Sequence, residues 1–557
     1  MYIRIVKSKQ RGKVYQSVQI AESVREPGVK NPRTKIIAHL GQVDKLKEKD
    51  VDNIINGLCK AIGRPARDDF AVDYAKDFGH IWSIVQIWKH LRIGLVLERH
   101  AKKSGAEFDL PQHILLMAAN RLCDPRSKLG LLAWLEGVYF PGVDGEQVEY
   151  HHLMRAMDWL ISQKDSIERE LAQEHIDLFN KDSLDLVFYD ITSTYFEGDK
   201  SISAEDIRAY GYSRDHRPDR RQIVIGMVIT PEGIPLCHHV FSGNTVDKTT
   251  VAMVVKDLKD RFGIRRAVVV GDRGMLSDDN LDALLTEEFG YVVAHPLRRN
   301  NAVRDFIKAS RKDLDHSEEA EEQFTENVCQ GVKFVMAYDP ARAAQVRRHR
   351  MEAITKADAL IKDVKARLRR SREGRQRGRP LTQEGALFQI RDYLKKRDLL
   401  RYYELSLADN GGVSVRADRK TRKWEDLIDG KLVVECTELD LPPKDVIARY
   451  KDLQTIERGF RSLKSTLELR PVYHWSEQRI RAHVFICVLA LMVERYMSLT
   501  LAPLSISASR ALDKLQQIKA GQAKLHGMAV PVLTRVEEEH RAIYTQLEIS
   551  FPKIKSL

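Results

Sequence analysis

Two aspartates stand at the ends of apolar runs that are typical of buried strands. Asp190 follows Tyr189 in "LVFYDITSTYF", and Asp272 ends the continuous apolar run "RAVVVGD". A buried, ionised carboxylate is costly unless it is paired, hydrogen-bonded or bound to a metal. Ligand and catalytic groups in open α/β sheets gather at the carboxyl ends of strands. Because two aspartates on neighbouring strand ends would repel each other without a cation between them, the pattern predicts a metal site.

A third acid lies in the helical segment "YKDLQTIERGFRSLK". Tyr450, Leu453, Glu457 and Lys464 stand at offsets 0, 3, 7 and 14, which at about 100° per residue places them on one face of a continuous helix. Mg²⁺ prefers oxygen ligands and binds through few carboxylates plus substrate phosphate. Two ions roughly 3.5–4 Å apart would clamp the attacking and leaving oxygens of a phosphoryl displacement. Taken singly, each aspartate is more often a cap or turn residue, and Glu457 a surface glutamate.

The elements around these acids predict a mixed α/β fold. From residue 184 to 300 the order is three strands, a helix, a strand, a helix and a strand, which indicates a mixed sheet with helices on its faces. Residues 300–430 do not continue this alternation of strands and helices, and "KLVVECT" at 431–437 looks like a return to the sheet. The segment between is therefore interpreted as an α+β insertion.

These changes in the pattern of predicted strands and helices divide the chain into six segments. We predict a β-rich basic N-terminal module for DNA binding, a helical domain for DNA binding or dimerisation, a first catalytic part, an insertion domain, a second catalytic part and a helical tail. Their bounds are residues 1–47, 48–180, 181–300, 301–430, 431–500 and 501–557.

Composition limits the class of protein. The 557 residues are too many for one core, and 43% hydrophobic content is typical of a globular chain. A formal net charge of +12 favours a nucleic-acid partner over a membrane surface. Six scattered cysteines without a CxxC pair predict reduced thiols and a cytosolic protein without a zinc site. The N-terminus lacks the apolar region of a signal peptide, and the most apolar segment, Val484–Val493, predicts a buried core helix, with no membrane partner.

The acids and their surroundings resemble the DDE transposases of bacterial insertion sequences, and most closely the insertion-sequence-four type. The family's first acid matches Asp190 in "YDITSTYF", and its second matches Asp272 in "GDRGM". Its tyrosine–arginine–glutamate–lysine signature matches Tyr450, Glu457 and Lys464, while Leu453 stands where the arginine belongs. "GYSRDHRPDRRQ", "SGNTVDKTT" and "LRPVYHWSEQRIRAHVFI" also resemble one subgroup of this family.

The resemblance implies a fold, a reaction and partners. It implies a ribonuclease-H-like core in which Asp190, Asp272 and Glu457 hold two Mg²⁺ ions, with Mn²⁺ as a substitute. Water would cleave phosphodiester bonds at the element ends, and the freed 3′-hydroxyl would attack target DNA. The implied partners are double-stranded terminal inverted repeats, target DNA and a second protomer in a synaptic homodimer. The implied location is the bacterial cytoplasm, with the nucleoid.

Further positions are candidates for DNA contact. Arg458 or Arg461 would replace the missing signature arginine, while Tyr450 and Lys464 would meet phosphate. Trp424 stands where related enzymes hold a flipped base, although a packed core tryptophan is the better interpretation. The remaining candidates are the loop residues Arg217, Arg220 and Arg221 and the basic run "RRSREGRQRGR", for which a solvated surface loop is the alternative.

Two other functions compete with transposition. A structure-specific nuclease on the same core would cleave DNA but would not join a 3′-hydroxyl end to a target. A domesticated DNA-binding protein with an inactive site would not cleave cognate ends, and the presence of all three acids argues against it.

Overall fold

The computed structural model describes most of the chain. The described residues are 1–10, 13–25, 32–63, 70–178, 186–198, 206–246, 250–264, 268–271, 278–298, 300–329, 331–375, 378–525 and 528–554. Two compact units emerge, one built from residues 1–86, 130–148 and 509–557 and the other from 87–129 and 149–508. Each unit therefore collects segments that are distant in sequence.

The first third of the chain begins with strands and continues with helices. The elements are β1 (Tyr2–Gln10), β2 (Lys13–Val24), β3 (Arg33–Gln42), α1 (Glu48–Ala61), β4 (Phe70–Asp77), α2 (Gly79–His90), α3 (Ile93–Ala101), α4 (Leu110–Cys123), α5 (Lys128–Glu136), α6 (Tyr150–Ser162) and α7 (Lys164–Leu178). Strands β1, β2 and β3 form an antiparallel sheet in this order, as their alternating sequence predicts.

The middle of the chain has the predicted order of strands and helices. The elements are β5 (Leu186–Tyr195), β6 (Gln222–Ile229), β7 (Pro235–Ser242), α8 (Val251–Phe262), β8 (Val268–Gly271), α9 (Asp278–Thr286), β9 (Gly290–Ala294) and α10 (Asn301–Ala309).

The last third contains long helices, several short strands and a return to the main sheet. The elements are β10 (Gln323–Cys329), β11 (Val332–Tyr338), α11 (Pro340–Arg372), α12 (Gln383–Lys396), β12 (Tyr403–Leu407), β13 (Val413–Ala417), α13 (Arg419–Ile428), β14 (Lys431–Cys436), α14 (Pro443–Lys451), α15 (Gln454–Arg461), α16 (Glu477–Thr500), α17 (Ala508–Leu515), β15 (Lys519–Leu525), β16 (Met528–Leu533) and α18 (Glu538–Gln546).

The second unit is organised around a mixed sheet of eight strands. Their order is β10-β11-β14-β9-β8-β5-β6-β7. Strand β5 lies inside the sheet, parallel to β8 on one side and antiparallel to β6 on the other. Strand β14 returns between β11 and β9, as the sequence predicts, and is antiparallel to both. The sheet thus confirms a mixed α/β fold.

Helices cover both faces of this sheet. One face packs against α8 and α9 through a core of aliphatic and aromatic side chains that includes Tyr189, Val254 and Leu284. Helices α14, α15 and α16 pack on the sheet as well. Along α16 nearly every side chain from Ile480 to Met497 is buried. Among the described residues it is the one helix apolar and long enough to cross a membrane, and 89% of its most apolar window is buried, as a core helix requires.

The insertion extends the sheet and also builds a core of its own. Strands β10 and β11 join the main sheet beside β14. Helices α11 and α12 pack against the hairpin β12–β13 around Ala357, Ile390 and Tyr402. A smaller cluster around Phe306, Met336 and Val433 joins α10, α13 and the sheet strands.

Two segments predicted to be helical contain strands. Within residues 48–180, β4 is a strand, and within the tail 501–557, β15 and β16 are strands. β15 pairs antiparallel with both β4 and β16. The helical prediction was wrong there because partners from opposite ends of the chain supply the backbone hydrogen bonds of these strands.

Candidate functional site

Asp190 lies on the face of the sheet opposite α8 and α9. Tyr189 and Ile191 point into the core under those helices, so the alternation of a strand turns Asp190 to the other face. Its Oδ1 accepts a hydrogen bond of 2.7 Å from the backbone N–H of Ile191. Across the strand pair it stands opposite Met227 of β6. The carboxylate is only partly buried, which leaves it accessible from that face.

Asp272 lies outside the described residues. Strand β8 ends at Gly271, directly before it. The parallel register pairs Phe188 of β5 with Val270 of β8. Two residues beyond these partners in sequence stand Asp190 and Asp272.

Helix α15 lies against β5 on the face that carries Asp190. A Cβ atom at Gly459 would lie 3.6 Å from Cε of Met227, the residue opposite Asp190. The β6–β7 turn also fixes the helix, because Gly233, at φ +85°, has so little room that a Cβ would lie 2.7 Å from Cγ2 of Thr455. Glu457 projects from the exposed side of this helix.

A cavity of about 840 Å³ opens beside α14 and α15. Tyr450, Leu453 and Glu457 line it, whereas Asp190 does not. Its other walls come mainly from the insertion and are of mixed charge. They carry the basic residues Arg298, Arg342, Arg350, Arg397, Arg401, Lys431 and Lys451 together with the acids Glu322, Asp339, Asp398, Glu425 and Asp429. Among the described residues Glu457 forms no ion pair, so its oxygens are open to a ligand.

Acids hold four of the cavity cations in place, among them Arg401, which lies 2.9 Å from Asp398, and Lys451, which lies 2.7 Å from Glu322. Arg298 donates to Glu425 in two hydrogen bonds of 2.6 and 2.9 Å. Burial alone would raise the pKa of Glu425, but Arg298 outweighs it and the pKa is lowered. Arg350 donates to Asp429 at 2.6 and 2.5 Å, which raises the pKa of Arg350 despite its partial burial.

Lys431, another basic residue of this lining, has a lowered pKa. Burial lowers its pKa to about 8, against the opposing pull of Asp429. None of the basic residues in this lining was a sequence candidate. They come from separate helices, strands and connections, and only folding brings them beside Glu457.

The signature residues do not share one helix face. Helix α14 ends at Lys451 and α15 begins at Gln454, and a π-helical turn follows at Ser462–Thr466. A break and an added residue in one turn each change the rotation about the axis, so the predicted spacing no longer holds. Lys464 is consequently absent from the lining of the cavity.

Lys464 instead binds the loop between β5 and β6. Its Nζ donates to Oδ1 of Asp215 at 2.9 Å, and Arg470 lies 3.3 Å from the other oxygen of Asp215. Burial lowers the pKa of Lys464, and Asp215 partly restores it. Sequence analysis missed Asp215, although it stands within the quoted "GYSRDHRPDRRQ".

The three loop arginines contact their own surroundings. Arg217 donates to Asp219 in two bonds of 2.8 Å, and Arg220 donates to the backbone oxygen of Glu197. Arg221 donates to the backbone oxygen of Arg208 at 3.0 Å. Arg458 and Arg461 are exposed on α15. Their contacts with DNA stay predictions.

Trp424 is packed into the insertion. It is partly buried beside the cluster around Met336 and Val433, and the guanidinium of Arg304 lies 4.5 Å from its ring centre. Its indole N–H is buried and meets no acceptor in the described part of the chain. These contacts favour the core interpretation over a surface that stacks on a base.

Family comparison adds a finding independent of this geometry. The model of the transposase DDE domain matches residues 184–493, which is more than half of the chain. This chain belongs to the DDE transposases. The N-terminal domain of the IS1634 family of transposases matches residues 3–69, so the protein is an insertion-sequence transposase. Its family makes it a metal-dependent, DNA-cleaving enzyme.

Structural comparison gives distant similarities. The transposase resembles a chain of a cryo-EM structure titled as the piggyBac transposase synaptic complex with hairpin DNA, at 10% identity and a TM-score of 0.36, covering 78% of this chain and 76% of that chain. No protein of curated function matches the transposase in sequence.

Proposed function

We propose that Asp190, Asp272 and Glu457 are the three metal-binding acids of this transposase, and that strands β5–β9 form its ribonuclease-H-like core. The observation that carries the proposal is the packing of α15, which bears Glu457, across the sheet face that bears Asp190. The register of β5 and β8 supports the second acid. Phe188 pairs with Val270, and Asp190 and Asp272 each follow these paired residues by two positions.

The chemistry of the acids fits a hard divalent cation. All three offer carboxylate oxygens, which Mg²⁺ prefers, and Mn²⁺ would be accepted at the same site. Glu457 forms no ion pair among the described residues and faces a cavity whose lining holds both cations and acids. Its charge is therefore available to a metal. Two bound ions would lower the pKa of water and stabilise the attacking and leaving oxygens.

The protein's own residues would hold the DNA for this reaction. Arg342, Arg397 and Lys431, which form no ion pair among the described residues, would present positive charge to a phosphate backbone beside Glu457, while Tyr450 lines the same wall. Lys464 and Arg470, which both contact Asp215, would add positive charge beside the loop between β5 and β6. Water would first be aligned on the end phosphate, and the freed 3′-hydroxyl would then take its place against target DNA. One set of residues would serve both displacements.

Binding of terminal inverted repeats would rest on other parts of the chain. We assign end recognition to the strand-rich basic segment 1–47 and to helices within 48–180, which would also dimerise. Joining two element ends requires two active sites, so the working form would be a homodimer on DNA, at the nucleoid in the cytoplasm. The formal net charge of +12 supports a polyanionic partner.

Charge-removing variants of the three acids test the proposal. Asp190→Asn, Asp272→Asn and Glu457→Gln should each bind end DNA as well as the native protein, or more tightly, and each should lose nicking and strand joining. Glu384→Gln, which removes the same charge from an exposed position on α12, is the matched control and should keep both activities.

A change of the divalent cation gives a second test of the proposal. Ca²⁺ in place of Mg²⁺ should support binding without cleavage, since its coordination is larger and more flexible. The substrate should be a duplex that carries the inverted repeats flanking the gene. Substantial cleavage by the Glu457→Gln protein would refute the assignment of the third acid.

A further inference from the structure

Helix α1 leaves its apolar side uncovered. It spans Glu48–Ala61, and none of its residues is buried in the described part of the chain. Val51, Ile55, Leu58 and Ile62, the last of which directly follows the helix, expose 42%, 37%, 56% and 67% of their surfaces. Single exposed aliphatic residues are common, whereas a contiguous group of them marks an interaction surface.

These four residues, here called the apolar stripe, lie on one side of the helix. They are spaced by four, three and four positions, which at about 100° per residue places them within roughly 60° of one another. By the same rotation Lys49, Asp50 and Lys60 point away from the stripe, while Glu48 and Asp52 lie beside its first turn. Acids beside an apolar surface disfavour a phosphate backbone, which binds through cations. The stripe therefore suits a protein partner rather than DNA.

Helix α1 also requires a partner for its own stability. Its 14 residues are close to the shortest length at which an isolated helix persists in water. Asn53, Asn56 and Gly57 lie within it and are weak helix formers. A helix of this kind is stabilised by packing of its apolar face, so a surface that covers the stripe would stabilise the helix itself.

The spacing of the stripe reads the same in both directions along the chain. Two copies of a helix related by a twofold axis across its length run antiparallel, and each contact then occurs twice. Val51 would meet Ile62 of the second copy, and Ile55 would meet Leu58 of the second copy, so that each apolar side chain packs against another. The opposite ends of the two helix dipoles would also lie side by side. An unrelated partner would need no such symmetry, which favours a second copy of this chain.

We propose that α1 is a contact between two copies of this transposase, formed by an antiparallel pair of helices along the apolar stripe. The inference rests on the proposed homodimer and names a surface that forms it. A stable interface takes roughly 20–30 residues a side, and this helix offers only 14. The pair is therefore weak in the free protein and is strengthened where one DNA holds two copies, because the shared DNA raises their effective concentration.

Sedimentation of the full-length protein without divalent metal tests the contact separately from catalysis. The native protein should change from monomer to dimer as its concentration rises. Leu58→Lys should weaken this association by about tenfold or more, because a polar residue at a seam position costs stability. Leu285→Lys makes the same change at an exposed leucine of α9, and as the control it should sediment like the native protein.

Engineered cysteines report the direction of pairing. The background carries Cys59→Ser and Cys329→Ser, which remove the thiol of α1 and an exposed thiol of β10. Under copper–phenanthroline oxidation, a mixture of the Ile55→Cys and Leu58→Cys proteins should form an intermolecular disulfide, because these positions face each other across the twofold axis. Each variant alone should crosslink several-fold less. A duplex carrying both element ends should raise the yield of the mixture.

The contrary results are distinct from one another. Native dimers that Leu58→Lys leaves intact would overturn the role of α1 and leave the homodimer in place. A native protein that stays monomeric at every concentration, with no crosslink in the mixture even on DNA, would overturn both. Equal crosslinking in the single variants and in the mixture would overturn the antiparallel arrangement. Loss of end binding by Leu58→Lys, with association unchanged, would overturn the proposal and identify α1 as a DNA contact. Because no metal is present, failure of the assigned acids would alter none of these results.

Discussion

Lys128 is a buried cation whose removal should stabilise the protein in a pH-dependent way. Its side chain is almost fully buried at the start of α5, and its Nζ finds no hydrogen-bond partner in the described part of the chain. Burial, with the nearby charge of Arg121, lowers its pKa from 10.5 to about 7, while Cys487 opposes the shift. Lys128 is therefore harder to protonate in the folded state than in the unfolded chain.

The size of the effect follows from the shift. Between the folded and unfolded pKa values the unfolded state binds more protons, so stability rises with pH across that window. The penalty is fully present below about pH 7 and is relieved as the pH approaches 10.5. At 1.36 kcal/mol per unit, the shift corresponds to on the order of 5 kcal/mol of unfolding free energy.

Lys128→Met keeps the length of the side chain and removes its charge. Urea unfolding of native and variant proteins at about pH 6, 8 and 10 should show a stabilising difference that shrinks steadily as pH rises. Lys102→Met, at an exposed position after α3, is the control and should give a small, flat difference. A difference for Lys128→Met that is equally large at every pH would refute the electrostatic reasoning and leave only improved packing.

Three other outcomes follow from the same structure. Trp424→Ala should lower the free energy of unfolding by about 2 kcal/mol, since the ring is only partly buried. Calorimetry should show this loss, and DNA binding and cleavage should fall together. A loss of cleavage alone would instead support the base-stacking role of Trp424. Gly430→Ala should cost more than about 2 kcal/mol, because φ is +69° and a Cβ would lie 2.3 Å from the backbone oxygen of Asp339; an unchanged melting temperature would contradict this. Neutralising four arginines between Arg367 and Arg379 should reduce the slope of log affinity against log salt by up to about 3.6; an unchanged slope would exclude this run from the DNA interface.

Local sequence was sufficient for the elements of the core. The apolar run before Asp190, the hairpin β6–β7 and the buried strand β8 were recognisable because strand and helix periods are written into neighbouring residues. The three acids proposed as metal ligands were selected from short motifs that resemble those of DDE transposases, and their roles stay predictions. Family membership confirms the kind of enzyme that those motifs indicate.

Contacts distant in sequence decided the remainder. The break before Gln454 and the π-helical turn at Ser462–Thr466 separate Lys464 from the cavity of Glu457, and a regular helical spacing cannot reveal either irregularity. The pairing of β4 with β15 joins residues more than four hundred positions apart, so no local pattern could predict it. The sequence therefore determined which residues could do chemistry, and tertiary structure determined their neighbours. Trp424 meets Arg304 in a packed cluster, and Lys464 meets Asp215 away from the cavity of Glu457. The physical reason is that burial and charge at a side chain are set by whatever the fold packs against it, and most of those partners lie far away along the chain.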